Sequence, residues 1–165
     1  MKPGTSRYAL MLGEDGMVKD DGIICKISDE HFIATTTTGG AATVLGCMEE
    51  YAQTEWPNLN VYMNSITEQY ATFNISGPKT RNIIEKVFPE VNFSNEAFPF
   101  MTFQFHEYED TPIRILRASF TGELGYEIYI TPNHALDLWK KIFHYGEAYD
   151  PVSYTHLTLP TSDLV

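Results

Sequence analysis

The chain has 165 residues and a formal net charge of −11, from 22 acidic against 11 basic side chains. A negative field of that size repels phosphate backbones and anionic bilayers, which argues against nucleic acid and membrane surfaces as partners. With 43% hydrophobic and 20% charged residues, the composition is that of a packed domain rather than a disordered segment.

Tyr8 to Leu12 reads as a strand, and Gly13-Glu14-Asp15-Gly16 as a turn. A second strand runs from Met17 through Asp20-Asp21-Gly22 to Ile27, making a hairpin with the first. His31 to Thr38 is a third strand, rich in β-branched residues. Gly39-Gly40 opens a helix whose apolar face is Val44, Leu45, Met48, Tyr51 and Ala52. Trp56-Pro57-Asn58 ends it, because Pro57 disfavours helix at the residue before it. Val61 to Ile66 and Gln69 to Ile75 read as strands, and Gly77-Pro78 leads into a helix with Ile83, Ile84 and Val87 buried.

Pro89 to Phe100 is a loop. Thr102 to Tyr108 and Ile113 to Ser119 form a second hairpin that turns at Glu109-Asp110-Thr111-Pro112. Tyr126 to Ile130 is a strand, and Thr131-Pro132 starts a last helix with Ala135, Leu138, Trp139, Ile142 and Phe143 on its core face. Two βαβ-like halves result, residues 1–66 and 67–150, and the mixture of hairpins and helices indicates an α+β fold.

Residues 151–165 follow no such pattern. They resemble translated library-adaptor sequence and are expected to be a non-native tail; the abrupt opening strand suggests that both ends are cut. The N-terminus lacks a signal peptide, and no apolar run approaches the ~18 residues of a membrane span. Cys25 and Cys47 lie far apart in apolar surroundings, which fits a reduced, cytoplasmic protein without a disulfide.

Three constellations could carry chemistry. Asp20 and Asp21 interrupt an apolar strand, and alternation sends their carboxylates to opposite faces. An inward carboxylate is costly unless it is paired or functional, although an Asp-Asp-Gly bulge accounts for the same residues. Glu127 follows the glycine turn Thr121-Gly122-Glu123-Leu124-Gly125 and shares a strand face with Tyr129. Its carboxylate could accept two parallel N–H bonds, from a ring N–H beside an exocyclic amine or from a guanidinium; a surface glutamate on an edge strand is the plainer reading. Thr35 to Gly40 could bind an anion at a helix start, or be only a strand followed by a helix cap. The five histidines show no metal-ligand spacing, so no metal is expected. Tyr108, Tyr126, Phe98 and Phe100 read as core.

Tyr8 to Asp21, Ile75 to Arg81 and Ser119 to Ile128, in this order and spacing, resemble the folate-binding aminomethyltransferase family of the glycine-cleavage T-protein. Thr35 to Ala42, Gln53 to Pro57 and Ser94 to Phe100 resemble its sarcosine oxidase α-subunit branch. The resemblance covers about residues 7 to 150 and implies a truncated piece of the aminomethyltransferase fold, with mixed or antiparallel sheets and packed helices. It implies a catalytic role for Asp20 and folate-site positions for Tyr8, Thr37, Phe120 and Glu127, the last holding the pterin. Phe120 stands where T-proteins have Tyr, and Thr37 where they have Asn. Tetrahydrofolate is the implied cofactor, with FAD, FMN and NAD held elsewhere in a hetero-oligomer of sarcosine oxidase subunits. A T-protein, a dimethylglycine dehydrogenase folate domain and a non-catalytic folate-binding protein are the competing readings.

Overall fold

The computed structural model describes residues 1–153, so most of the expected tail lies outside the described residues. β1 (Ser6–Leu12), β2 (Val18–Lys26) and β3 (Phe32–Ala34) form one antiparallel sheet in that order. Helix α1 (Ala41–Thr54) follows. β4 (Ala71–Ser76), α2 (Thr80–Val87), β5 (Phe103–Tyr108), β6 (Thr111–Leu116), β7 (Gly125–Ile130) and α3 (Pro132–Gly146) complete the described elements. The second sheet has the order β4-β7-β6-β5. The α+β class holds, with one correction: every strand pairing is antiparallel, so the halves are not βαβ units.

Alternation along β6 and β7 sends Ile113, Ile115, Tyr126, Ile128 and Ile130 to one face, where α2 supplies Ile83, Ile84 and Val87 and α3 supplies Leu138 and Ile142. The 89–100 loop is a structural part of this core. Phe93 and Phe98 stack at 5.7 Å, and the Tyr126 ring meets them edge-on at 5.2 and 5.8 Å. Phe100, expected in the core, is exposed because the loop has already turned outward at that point.

The other face of the second sheet meets the first sheet. Cys25, Phe103, Leu116, Ala118 and Tyr129 form the shared cluster. Two backbone bonds reinforce it, from Ser6 N–H to the Met101 carbonyl at 2.8 Å and from Phe103 N–H to the Gly4 carbonyl at 3.1 Å.

Three expected elements change. β3 stops at Ala34, because the Ile23 N–H donates to the Thr35 hydroxyl rather than to a main-chain carbonyl and the Thr37 N–H donates to the Asp20 carboxylate. Val61 to Ile66 forms no strand: its residues find no ladder partner, and Tyr62 is 92% exposed. Thr111 and Pro112 belong to β6 rather than to the turn, which is the two-residue Glu109-Asp110 with φ of 48° and 60°. Among the described residues, no helix is long and apolar enough to cross a membrane.

Candidate functional site

The extra residue of the first hairpin is Lys19. Met11 pairs with Asp20 while Leu12 pairs with Val18, so the bulge lies one residue before the Asp-Asp-Gly segment, and that segment itself runs in regular register. Alternation is therefore intact through it. Asp20 is 6% exposed. Asp21 is half-buried on the opposite face, where its Oδ2 accepts the Tyr8 hydroxyl at 2.6 Å.

The threonine run folds back across β2 and builds a cradle around Asp20. Thr35 N–H donates to the Ile23 carbonyl at 2.9 Å, and Ile23 N–H donates to the Thr35 hydroxyl at 3.0 Å. This crossing needs Gly22, where a Cβ would stand 1.8 Å from the Thr35 carbonyl oxygen. Two residues later Thr37 donates twice to Asp20: its N–H to Oδ1 at 3.0 Å and its hydroxyl to Oδ2 at 2.9 Å. The Asp21 N–H is the third donor to the carboxylate, reaching Oδ1 at 2.7 Å. Gly40, the residue before α1, closes the cradle; a Cβ there would lie 1.7 Å from Asp20 Oδ2.

The Thr37 N–H, opposed by burial and helped by the Asp21 N–H and the Thr37 hydroxyl, holds the Asp20 carboxyl below the usual carboxylate range. Because the folded-state value is depressed, the stabilisation is complete above the ordinary carboxylate range, near pH ~4, and is lost as pH falls through the lower folded value. Thr37→Val removes the hydroxyl donor and keeps the N–H. The Asp20 titration midpoint should then rise toward the ordinary range when followed by carboxyl-carbon NMR; an unmoved midpoint would show that the hydroxyl bond does not matter.

Asp20 opens on a groove of about 500 Å³ between the first hairpin and α1. Its walls include Met11, Leu12, Val44, Met48, Tyr51 and Trp56, with Lys19 beside Asp20. The α1 face expected to be core is therefore a groove wall: among the described contacts Val44 is its buried residue, while Met48 and Tyr51 are exposed.

Glu127 lies elsewhere, on β7, opposite Asn74 of β4 and Leu116 of β6. Its Oε2 accepts the Tyr129 hydroxyl in a short hydrogen bond. The Arg114 guanidinium, 4% exposed, sits over the Tyr129 ring at 4.0 Å. Burial pushes the Cys25 thiol up to about 11, with Arg114 lowering and Glu127 raising it; Cys25 and Tyr129 pack in the one cluster between the sheets. Tyr8 stands on the same face of the first sheet as Cys25, since Tyr8 pairs with Ile23 and Ser6 with Cys25.

The five expected site residues thus divide. Asp20 and Thr37 are in contact on the α1 side; Tyr8 shares the Cys25 face of the first sheet but is 60% exposed; Glu127 is on the face of the second sheet that meets the first; Phe120 is 74% exposed in the loop before β7. Sequence reasoning missed Gly40 as a close neighbour of Asp20, and it missed Arg114. Tyr129 was visible in the alternation of β7, but its bond to Glu127 was not.

The fold is that of an aminomethyltransferase domain. A crystal structure of glycine cleavage system aminomethyltransferase T from Bartonella henselae superimposes with a TM-score of 0.66 at 23% identity, over 87% of this chain and 36% of that one, a likeness that speaks for fold alone. The chain belongs to the family described as GCVT N-terminal domain, whose family model matches residues 1–161. It is 43% identical over 155 residues to the sarcosine oxidase subunit alpha of Corynebacterium sp. (strain P-1), covering 93% of this chain and 16% of that protein. To the corresponding subunit of Rhizobium meliloti (strain 1021) it is 36% identical, covering 94% and 16%. An aminomethyltransferase of Oceanobacillus iheyensis is 28% identical over 90% of this chain and 39% of its own length. The chain therefore spans about 16% of the length of its sarcosine oxidase relatives.

Proposed function

We propose that this chain is the tetrahydrofolate-binding, one-carbon-transfer part of a sarcosine oxidase α subunit. It acts in the cytoplasm with the other subunits of that enzyme, and the flavin and NAD sites lie outside this chain. In this reading residues 1–66 carry the Asp20 cradle and 67–150 carry Glu127, as two subdomains. The reaction joins the imine formed from sarcosine to tetrahydrofolate, giving glycine and 5,10-methylenetetrahydrofolate.

One observation carries the proposal: a nearly buried aspartate, kept ionised by three donors, at the end of an apolar groove. The residues suit the ligand. Glu127 keeps acceptor sites beyond the one used by Tyr129, and paired ring and exocyclic N–H groups of a pterin match them. The groove volume lies within the ~300–1,000 Å³ usual for ligand pockets. Tetrahydrofolate supplies the two nitrogens that take up the one-carbon unit.

The work of this chain is then positional. Asp20 would orient the folate amine and assist the movement of its proton as that amine attacks. Bridging the carbon between two folate nitrogens would release two N–H protons in all, and both end on the glycine nitrogen as its bond to that carbon breaks. Fixing amine and imine at attack distance contributes more than the basicity of a carboxylate whose proton affinity is already low. Imine that is not captured by folate would be hydrolysed by water to formaldehyde.

The direct test is a thermal melt of the full-length protein with and without tetrahydrofolate. Ligand at about 100 times its Kd should stabilise the folded state by roughly 2.7 kcal/mol and raise Tm accordingly. No shift at any ligand concentration would overturn the reading.

A further inference from the structure

We infer that Tyr129 is a positioning residue for Glu127, clamped in turn by Arg114. The inference rests on the folate-binding reading of Glu127 given above. A glutamate has three rotatable bonds, and one half-exposed on a sheet face ordinarily samples several rotamers. Glu127 does not have that freedom. Tyr129, two residues on and on the same face of β7, donates its hydroxyl to Oε2. The donor is itself fixed, because Tyr129 is 7% exposed and its ring packs in the cluster of Cys25, Phe103, Leu116 and Ala118.

Arg114 completes the clamp. It is the cross-strand partner of Tyr129, and its guanidinium covers the ring face at 4.0 Å. Its Nε–H has no hydrogen-bond partner and is buried, so the contact with the ring is what orients this end of the side chain. Arg114 and Glu127 form no ion pair within bonding distance among the described residues; the tyrosine stands between them as the link. The arrangement leaves Oε1 of Glu127 and its remaining lone pairs for a ligand while the position of the carboxylate is set from behind. Preorganisation of this kind improves affinity because the ordering has been completed before the ligand arrives.

Exposure marks where the ligand approaches. On the same face of the sheet, Thr72, Asn74 and Ser76 of the edge strand β4 are exposed, whereas Arg114 and Leu116 on the other side are covered by the first sheet. Glu127 sits at the border, opposite Asn74. With Oε2 taken by Tyr129, Oε1 is the oxygen left for a ligand at that border.

A double-mutant cycle in the full-length protein tests this, with tetrahydrofolate dissociation constants from calorimetry and Tm as the check on folding. Tyr129→Phe removes the hydroxyl and keeps the ring under Arg114. It should weaken binding by about five- to tenfold, the scale of one net intramolecular hydrogen bond, with little change in Tm. In a Glu127→Ala background the same change should have no further effect on binding, because a residue that acts through Glu127 has nothing left to position. Arg114→Met should weaken binding in the same direction as Tyr129→Phe and likewise fall silent in the Glu127→Ala background. If Glu127→Ala weakens binding and Tyr129→Phe does not, or if the two effects multiply, the positioning role is wrong and the folate reading stands. If Glu127→Ala leaves the dissociation constant unchanged, the folate reading of Glu127 fails and this inference falls with it.

Discussion

Gly40→Ala should cripple the site while its neighbour Gly39→Ala does nothing. The backbone gives no reason for the difference: Gly40 has φ −88° and ψ −18°, an ordinary right-handed conformation that alanine adopts freely, and neither glycine has a positive φ. The difference is space. A Cβ on Gly40 would lie 1.7 Å from Asp20 Oδ2 and 2.7 Å from the Thr37 hydroxyl, whereas a Cβ on Gly39 meets nothing within 4 Å. Asp20 cannot swing aside as a long side chain would, since it is a short carboxylate tied by three donors. Either α1 moves away from the hairpin or the Thr37 bonds break. Overpacking of this kind costs about 1–3 kcal/mol, and the groove beside Asp20 changes shape with it. Chemical denaturation of both variants, with tetrahydrofolate affinity measured alongside, checks the contrast. Equal behaviour of the two alanines would mean that the cradle is not as tight as described.

Asp20→Ala should separate the two halves of the proposed chemistry. The substitution removes the acceptor for the folate amine and leaves Thr37 N–H, Thr37 Oγ–H and Asp21 N–H without their acceptor. In the proposed reading the flavin site lies outside this chain, so oxidation of sarcosine there should continue. Transfer of the one-carbon unit should fall by on the order of a hundredfold, at the lower end of what positioned acid–base groups contribute. The imine would then be lost to water as formaldehyde.

The elements built from local signals were readable in the sequence. Both hairpins, the start of α3 at Thr131-Pro132 and the buried faces of α2 and β7 follow from turn residues and from periods of two and 3.6, which need no knowledge of distant partners. What depended on a partner was not readable. Val61 to Ile66 alternates like a strand, but a strand also needs a neighbour to pair with, and none is placed there. The apolar stripe of α1 looks like a core face, and its position over the hairpin turns it into a groove wall instead. That Asp20 and Asp21 point to opposite faces could be read from alternation, because the bulge falls at Lys19 and leaves the period intact from Asp20 onward; which of the two lies inward could not. The reason for the Thr-Thr-Thr-Thr-Gly-Gly run could not. As a local motif it suggested a helix cap or an anion site; in space Gly22 admits Thr35, Thr37 ties Asp20, and Gly40 leaves room for the carboxylate. Thr37, expected at the folate, has both its N–H and its hydroxyl committed to Asp20.

The central claim is that Asp20 directs the one-carbon unit to tetrahydrofolate. It is tested most directly by following where that carbon goes in the full-length enzyme. Isotope-labelled sarcosine would be turned over with tetrahydrofolate and an excess of a formaldehyde trap, so that only carbon transferred within the protein appears as 5,10-methylenetetrahydrofolate. The account predicts an unchanged rate of sarcosine oxidation in Asp20→Ala, with most of the label moved from methylenetetrahydrofolate to trapped formaldehyde. An unchanged yield of methylenetetrahydrofolate would contradict it.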